Sequence, residues 1–172
     1  KKIGLDISVT PFDVSYVKLL KKYVKFLKVA SGDLTNIPLL KEIAKSKKEV
    51  VISTGMASDN EILKALSIFK NKRKVTLLHC ISCYPTKLED SNLTNIHNLK
   101  KFNTRVGYSD HTAGINAAAN SVFFGAKIIE KHFMPKRTKL AGDYDLSIDE
   151  KQLKELSDRI KENFLTIGKK RK

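Results

Sequence analysis

The chain has 172 residues, 41% of them apolar, which is enough for one domain with a sizeable buried core and rules out a low-complexity or disordered composition. No apolar run approaches the roughly 20 residues that span a bilayer, and the first residues lack the charged-then-apolar pattern of a secretory leader, so the expected setting is the cytoplasm. A net charge of +15 raises nucleic acid as a partner. The lysines, however, are scattered over predicted helical faces, as at Lys18, Lys21, Lys22 and Lys25. No recognition module or aromatic-basic pattern accompanies them, so neither a nucleic acid nor a membrane is expected as partner, and Lys169-Lys170-Arg171-Lys172 reads as a solvated end.

Six short aliphatic runs follow, at residues 3–9, 26–30, 50–53, 75–79, 104–108 and 126–130. Several are continuous rather than alternating, which marks strands buried on both faces, the parallel arrangement. The first run ends in Thr10-Pro11-Phe12, and residues 13–22 then repeat apolar positions at Val14, Val17 and Leu20. The second ends in Ser31-Gly32-Asp33, with Asn36 as a cap for a helix at 37–44 carrying Leu39, Leu40 and Ile43. The third ends in Ser53-Thr54-Gly55, and Asp59 reads as the cap of a helix at 59–69. The fourth ends in His79-Cys80, before a helix at 92–102 capped by Asn92. The fifth ends in Ser109-Asp110-His111, before a small-residue helix at 114–124, and the sixth in Lys131-His132. Ser147-Ile148-Asp149-Glu150 then opens an amphipathic helix at 149–167, with acidic residues at the positive end of its dipole. Connections of this length between parallel strands are crossover helices.

No linker rich in Gly, Pro or Ser separates these six βα units, so residues 1–172 read as one domain. The polar tips recur at the C-terminal strand ends, the rim where a parallel barrel assembles its active site, and they point to one shared pocket. Eight units close such a barrel in roughly 250 residues. The expected fold class is therefore α/β, a (β/α)8 TIM-type barrel represented by about six units: an incomplete barrel, internal to a longer polypeptide. A doubly wound open sheet is the alternative, but the glycine-rich phosphate turn after its first strand is absent.

Alternation within a strand puts Gly107, Ser109 and His111 on one face, and Glu130 and His132 on one face of the next strand. Two imidazoles from neighbouring tips could meet at one divalent cation and leave positions open for water and substrate. Taken alone, each is more often a hydrogen-bonded barrel histidine than a ligand. A second constellation, Lys28, Ser31, Ser53, Ser82 and Ser109, offers an ammonium and several hydroxyls, with Gly32 and Gly55 allowing close backbone approach. Those are the donors a phosphate needs, although hydroxyls at strand ends also cap helices. Cys80 and Cys83 form one C-x-x-C that opens no helix and has no second pair at zinc spacing, so it reads as two small residues in a reducing compartment.

Taken together, Thr10-Pro11-Phe12-Asp13, the run from Lys28 to Asn36, Ser53-Thr54-Gly55-Met56-Ala57, Leu77-Leu78-His79-Cys80, Tyr84-Pro85-Thr86, the run from Val106 to Thr112, and Ile129-Glu130-Lys131-His132-Phe133 closely resemble the sialic acid synthase family. That family includes N-acetylneuraminate, legionaminate and pseudaminate synthases, and the likeness runs in order from Ile3 to about Ile160. It implies a carbon–carbon bond-forming transferase of carbohydrate biosynthesis, which condenses phosphoenolpyruvate with an N-acetylated amino sugar to give a nine-carbon sialic-acid-type sugar and phosphate. It implies a divalent metal, Mn²⁺ or Mg²⁺, held by His111 and His132, with Asp143 nearby as a third catalytic residue. Thr10, Lys28, Ser31, Ser53, Ser82 and Ser109 are then expected around phosphoenolpyruvate, and Tyr84 facing the sugar. The resemblance further implies two earlier βα units and a C-terminal antifreeze-like domain that are absent here, and a homodimer in the full-length parent. Ile81 stands where the family usually has Thr, and Ala141-Gly142-Asp143-Tyr144 where it usually has Gly-Pro-Asp-His. The reading from a different class is a truncated, catalytically silent fragment that at most binds metal or phosphate.

Overall fold

Six strands follow one another in the chain, β1 (Ser8–Val9), β2 (Phe26–Val29), β3 (Glu49–Ser53), β4 (Val75–His79), β5 (Arg105–Asp110) and β6 (Ile129–Lys131). Between and after them lie α1 (Val14–Leu20), α2 (Ile37–Lys45), α3 (Asp59–Ser67), α4 (Thr94–Asn98), α5 (Asn116–Asn120) and α6 (Glu150–Ile167). The structure, a computed structural model, describes residues 4–135 and 142–168. Residues 1–3, Ala141 and the basic tail from Lys169, all named in the sequence reading, lie outside the described residues. The chain divides into two compact units, Lys1–Leu78 with Lys100–Arg105, and His79–Leu99 with Val106–Lys172.

In the first unit β1, β2, β3 and β4 pair in parallel, with Val9 opposite Leu27, Leu27 opposite Val50 and Val50 opposite Val75. The continuous apolar runs become buried strands: the last four residues of β3 and the four of β4 in this unit are buried. Leu39, Leu40 and Ile43 bury one stripe of α2, and Ile62, Ala65 and Leu66 one stripe of α3. The expected first strand shortens to two residues. Leu5 and Ile7 are 67% and 55% exposed, so only Ser8 and Val9 find ladder partners on β2. Asn36 caps α2 by accepting from Leu39 N–H, as expected. The cap of α3 is Ser58 rather than Asp59: its hydroxyl accepts from Glu61 N–H while the Glu61 carboxylate accepts from Ser58 N–H.

In the second unit β5 and β6 pair in parallel, with Ser109 opposite Glu130 and Asp110 opposite Lys131. The unit's core joins Ile115, Ala118 and Ala119 to Ile148 and to Leu156 of α6, with Ile129 and Ile160 packed against them. β5 extends two residues past the expected end and β6 starts at Ile129, so Ser109, Asp110 and Lys131 belong to the ladder and their faces are set by strand alternation. Both expected central helices break into an α-helical turn and a tighter 3₁₀ turn, Leu99–Phe102 after α4 and Ser121–Phe124 after α5. Ser121 Oγ donates to Ala118 O at that junction, and Gly125 closes the turn at φ 98°, a left-handed conformation glycine adopts without strain. Asn92 is not a cap; its φ is +44°, and Leu93 precedes α4 without a side-chain hydrogen bond. Asp149 caps α6 in a reciprocal box with Gln152. Among the described residues no helix is long and apolar enough to cross a membrane, and Cys80 and Cys83 are both free thiols.

Candidate functional site

The parallel register sets the first feature of the second unit. Because Asp110 stands opposite Lys131, the next residues along the two strands, His111 and His132, are neighbours, and their ring centroids lie 5.5 Å apart at 68°. Each imidazole has its outer nitrogen engaged by an acceptor. His111 Nδ1 lies 2.7 Å from Ile81 O, and His132 Nδ1 lies 3.2 Å from Asp143 Oδ2. A carbonyl and a carboxylate can only accept, so each Nδ1 carries a proton, and in the neutral ring Nε2 is the nitrogen with the lone pair. Burial holds His111 below the ordinary histidine range, the His132 ring adds to this, and the Ile81 carbonyl opposes it. The neutral ring that results at neutral pH is the form that binds a metal.

Tyr84, 56% exposed, lays its ring against His111 at 4.2 Å between centroids and presents an edge to His132 at 6.1 Å. Ser109, on the same face of β5 as His111, donates to Glu130 Oε1 at 2.7 Å. Among the described residues no three His, Cys, Asp or Glu side chains group as a metal site, so a cation here would rest on the two imidazoles. Their chemistry fits a divalent ion: two neutral nitrogens, both oriented by acceptors on the far side of the ring, with the remaining coordination positions open.

In the first unit Lys28, 9% exposed on β2, donates from Nζ to Ser53 Oγ at 2.7 Å and to Val29 O at 3.0 Å. Ser31 Oγ accepts from Gly55 N–H at 3.1 Å, bringing the turns after β2 and β3 together. Lys28 and Ser53 are thus hydrogen-bonded to each other, and Ser31 is hydrogen-bonded to the turn after β3. Thr10 and Ser82, on the loops after β1 and β4, are half-buried, and among the described residues their side chains make no hydrogen bond.

A cavity of about 580 Å³ in this unit lies elsewhere, lined by Phe69, Lys41, Lys45, Lys47, Lys48 and Lys74 among others, on the segments that enter β3 and β4. Three of its lysines serve the chain's own acceptors: Lys48 Nζ donates to Val24 O, Lys74 Nζ to Lys47 O and Lys45 Nζ to Glu42. It is placed at the ends of helices, whose partial charge is negative, and not at the polar tips.

Strand parity places Glu130 on the face of His132, and the structure adds its bond from Ser109. Sequence reasoning missed the Ile81 carbonyl, because a backbone carbonyl leaves no trace in residue type.

Residues 1–172 match the NeuB family. An uncharacterized protein of Methanocaldococcus jannaschii is 47% identical over 176 residues, covering 99% of this chain and 52% of its own length. The N,N'-diacetyllegionaminic acid synthase of Campylobacter jejuni is 40% identical over 174 residues, covering 98% of this chain and 52% of its own length. The chain therefore spans about half the length of these curated relatives. Among solved structures, the N-acetylneuraminic acid (sialic acid) synthetase of Leptospira borgpetersenii, in complex with citrate, is similar with a TM-score of 0.89 at 42% identity, over 94% of this chain and 58% of that one. A truncated 3-deoxy-D-arabino-heptulosonate 7-phosphate synthase of Thermotoga maritima shares the fold, with a TM-score of 0.82 at 17% identity, over 97% of this chain and 68% of that one. The fold class is thus α/β of the TIM-barrel type, represented by six βα units. With a family match along its whole length and a legionaminic acid synthase at 40% identity, the chain belongs to the NeuB family of sialic-acid-type synthases.

Proposed function

We propose that this chain contributes the catalytic strand tips of a synthase that joins phosphoenolpyruvate and water to an N-acetylated amino sugar, giving a nine-carbon 3-deoxy-2-ulosonic acid and phosphate. The observation that carries the proposal is the pair of neighbouring imidazoles, each with Nδ1 tied to an acceptor and Nε2 left as the donor. In the reaction the enol carbon forms a bond to the sugar's aldehyde carbon, water adds at C2, and phosphate leaves with its C–O bond broken. A divalent ion, Mn²⁺ or Mg²⁺, held by His111 and His132 would supply Lewis acidity at the aldehyde oxygen, where negative charge builds up.

The chain's own groups do the rest by binding and orienting. Lys28, with the Ser31 and Ser53 hydroxyls, holds the phosphoenolpyruvate anion through charge-assisted hydrogen bonds, and Thr10, Ser82 and Ser109 complete the set of hydroxyls assigned to that substrate. The Ser109 hydroxyl gives its proton to Glu130 here, so to donate to the anion it must exchange that bond. Tyr84 covers the face of His111 and is the residue assigned to the sugar. Asp143 fixes the tautomer of His132. In this reading residues 1–172 are part of a synthase barrel domain, and the whole enzyme is a cytoplasmic homodimer.

The test is phosphate release by the polypeptide that carries this sequence, supplied with phosphoenolpyruvate, N-acetylmannosamine or a related N-acetyl amino sugar, and Mn²⁺. Release that depends on the sugar and falls at least about a hundredfold in His111→Ala supports the proposal. Sugar-independent release, or turnover unchanged in both His111→Ala and His132→Ala, overturns it.

A further inference from the structure

Directly behind the two imidazoles lies an ion pair that the reaction above does not use. Asp110 and Lys131 stand opposite each other in the β5–β6 register, on the faces turned away from His111 and His132. Their charged groups meet at 2.9 Å, and their side chains are 0% and 4% exposed. Asp110 Oδ1 also accepts from Thr112 N–H at 2.9 Å and from the Tyr108 hydroxyl at 3.2 Å, while Lys131 Nζ donates to Thr112 O. Both polar groups of the Thr112 backbone are therefore tied to the pair. The carbonyl of His111 itself accepts from Thr86 N–H, and that of His132 from Ile148 N–H.

We propose that the buried Asp110–Lys131 pair is a positioning device that fixes the β5–β6 register and the chain on either side of His111, so that the two imidazoles meet at a set separation. The inference rests on the reading of His111 and His132 as metal ligands. A one-residue slip between parallel strands would turn every side chain to the other face. Here it would also leave two charges buried without partners, a far larger penalty than the loss of an exposed ion pair. To the register that the buried Tyr108 and the apolar pattern already favour, the pair adds a point-to-point contact that a slip would break. The pair thus gives registry at the place where registry decides whether two nitrogens can share one ion.

Mn²⁺ titration of the protein, followed by the electron-spin resonance of free Mn²⁺, tests this without turnover. The variant Asp110→Asn with Lys131→Met removes the inter-strand tie and both charges, yet keeps an acceptor for Thr112 N–H and Tyr108. It should bind Mn²⁺ at least about tenfold more weakly, the range over which residues behind a metal ligand act. Long-range ¹H–¹⁵N spectra of the metal-free imidazoles should shift in the same variant. A second variant, Asp110→Asn with Lys131→Gln, restores a neutral inter-strand hydrogen bond and should bind Mn²⁺ within about threefold of the unchanged protein. Unchanged Mn²⁺ affinity in a folded Asn/Met variant overturns the inference, as does lost affinity in a folded Asn/Gln variant when Asn/Met does not fold. His111→Ala is the reference: if it binds Mn²⁺ as the unchanged protein does, the ligand reading itself fails.

Discussion

The polar tips of the two units solve different problems. In the first unit the groups proposed to hold the anion sit on or next to the parallel ladder, and two bonds link the tips: Lys28 to Ser53, and Gly55 N–H to Ser31. In the second unit each imidazole is braced from outside the ladder, His111 by Ile81 after β4 and His132 by Asp143 on the segment that leads to α6. An anion needs only donors converging at hydrogen-bond distance, which strand ends and their turns supply directly. A metal ligand needs its tautomer chosen, and that choice has to come from a second layer of acceptors. The first set should therefore respond to loss of a donor, and the second to loss of a residue that never touches the ligand.

The largest expected effect separates the two sets. Lys28→Ala removes a charge-assisted contact, and phosphoenolpyruvate affinity measured by titration calorimetry should fall about 10- to 100-fold. Mn²⁺ affinity should stay within about threefold, since no imidazole loses a partner. Equal losses of both ligands would erase the distinction drawn between the units. The reciprocal experiment is Asp143→Ala, which frees the Nδ1 proton of His132. Mn²⁺ binding should weaken about tenfold with phosphoenolpyruvate binding preserved, and an unaltered Mn²⁺ isotherm would remove Asp143 from the site.

The same contrast explains what the sequence could and could not reveal. β4 was legible to the residue because all five of its positions are buried, so hydrophobicity and strand coincide. β1 was overextended because Leu5 and Ile7 carry strand-like side chains, whereas pairing depends on a neighbour that reaches only Ser8 and Val9. The breaks after α4 and α5 were hidden because a 3₁₀ turn keeps nearly the same apolar spacing as an α-helix. Lys28, Ser31, Ser53, His111 and His132 were legible as strand-end chemistry. Their braces were less so: Ile81 acts through its backbone, and the Asp110–Lys131 pair becomes visible only once the register is known.

A smaller effect tests whether the two units depend alike on their helix starts. Ser58 in the first unit and Asp149 in the second each close a reciprocal capping box. Ser58→Ala and Asp149→Ala should each lower unfolding stability by about 1 kcal/mol, read from urea midpoints at unchanged slope. A cost near zero in one of them would show that its helix is held by packing alone.

Acid sensitivity gives the finest division between the units, because all four histidines, His79, His97, His111 and His132, lie in the second. His79 is buried against Tyr108 with ring centroids 5.7 Å apart, and its Nε2–H donates to Ser91 O. Burial holds it below the ordinary histidine value, with the Ser91 carbonyl only partly opposing this, and His111 shifts the same way. A group whose folded value is depressed contributes stability that is complete above its unfolded value, about 6.5, and is lost as pH falls through the folded one. The carboxylates held low in the first unit, Glu42 by Lys45 and Glu61 by Ser58, lose their contribution only in the more acid carboxylate range. Between pH 7.5 and 5, amide protection factors, which correct for the pH dependence of the intrinsic exchange rate, should therefore fall in the second unit, with the first unit changing less. His79→Gln can keep a donor toward Ser91 O but cannot charge, so it should reduce that pH dependence, with His111 supplying the remainder. If protection in the second unit of His79→Gln falls on acidification as much as in the unchanged protein, the buried neutral ring is not what makes this unit acid-sensitive.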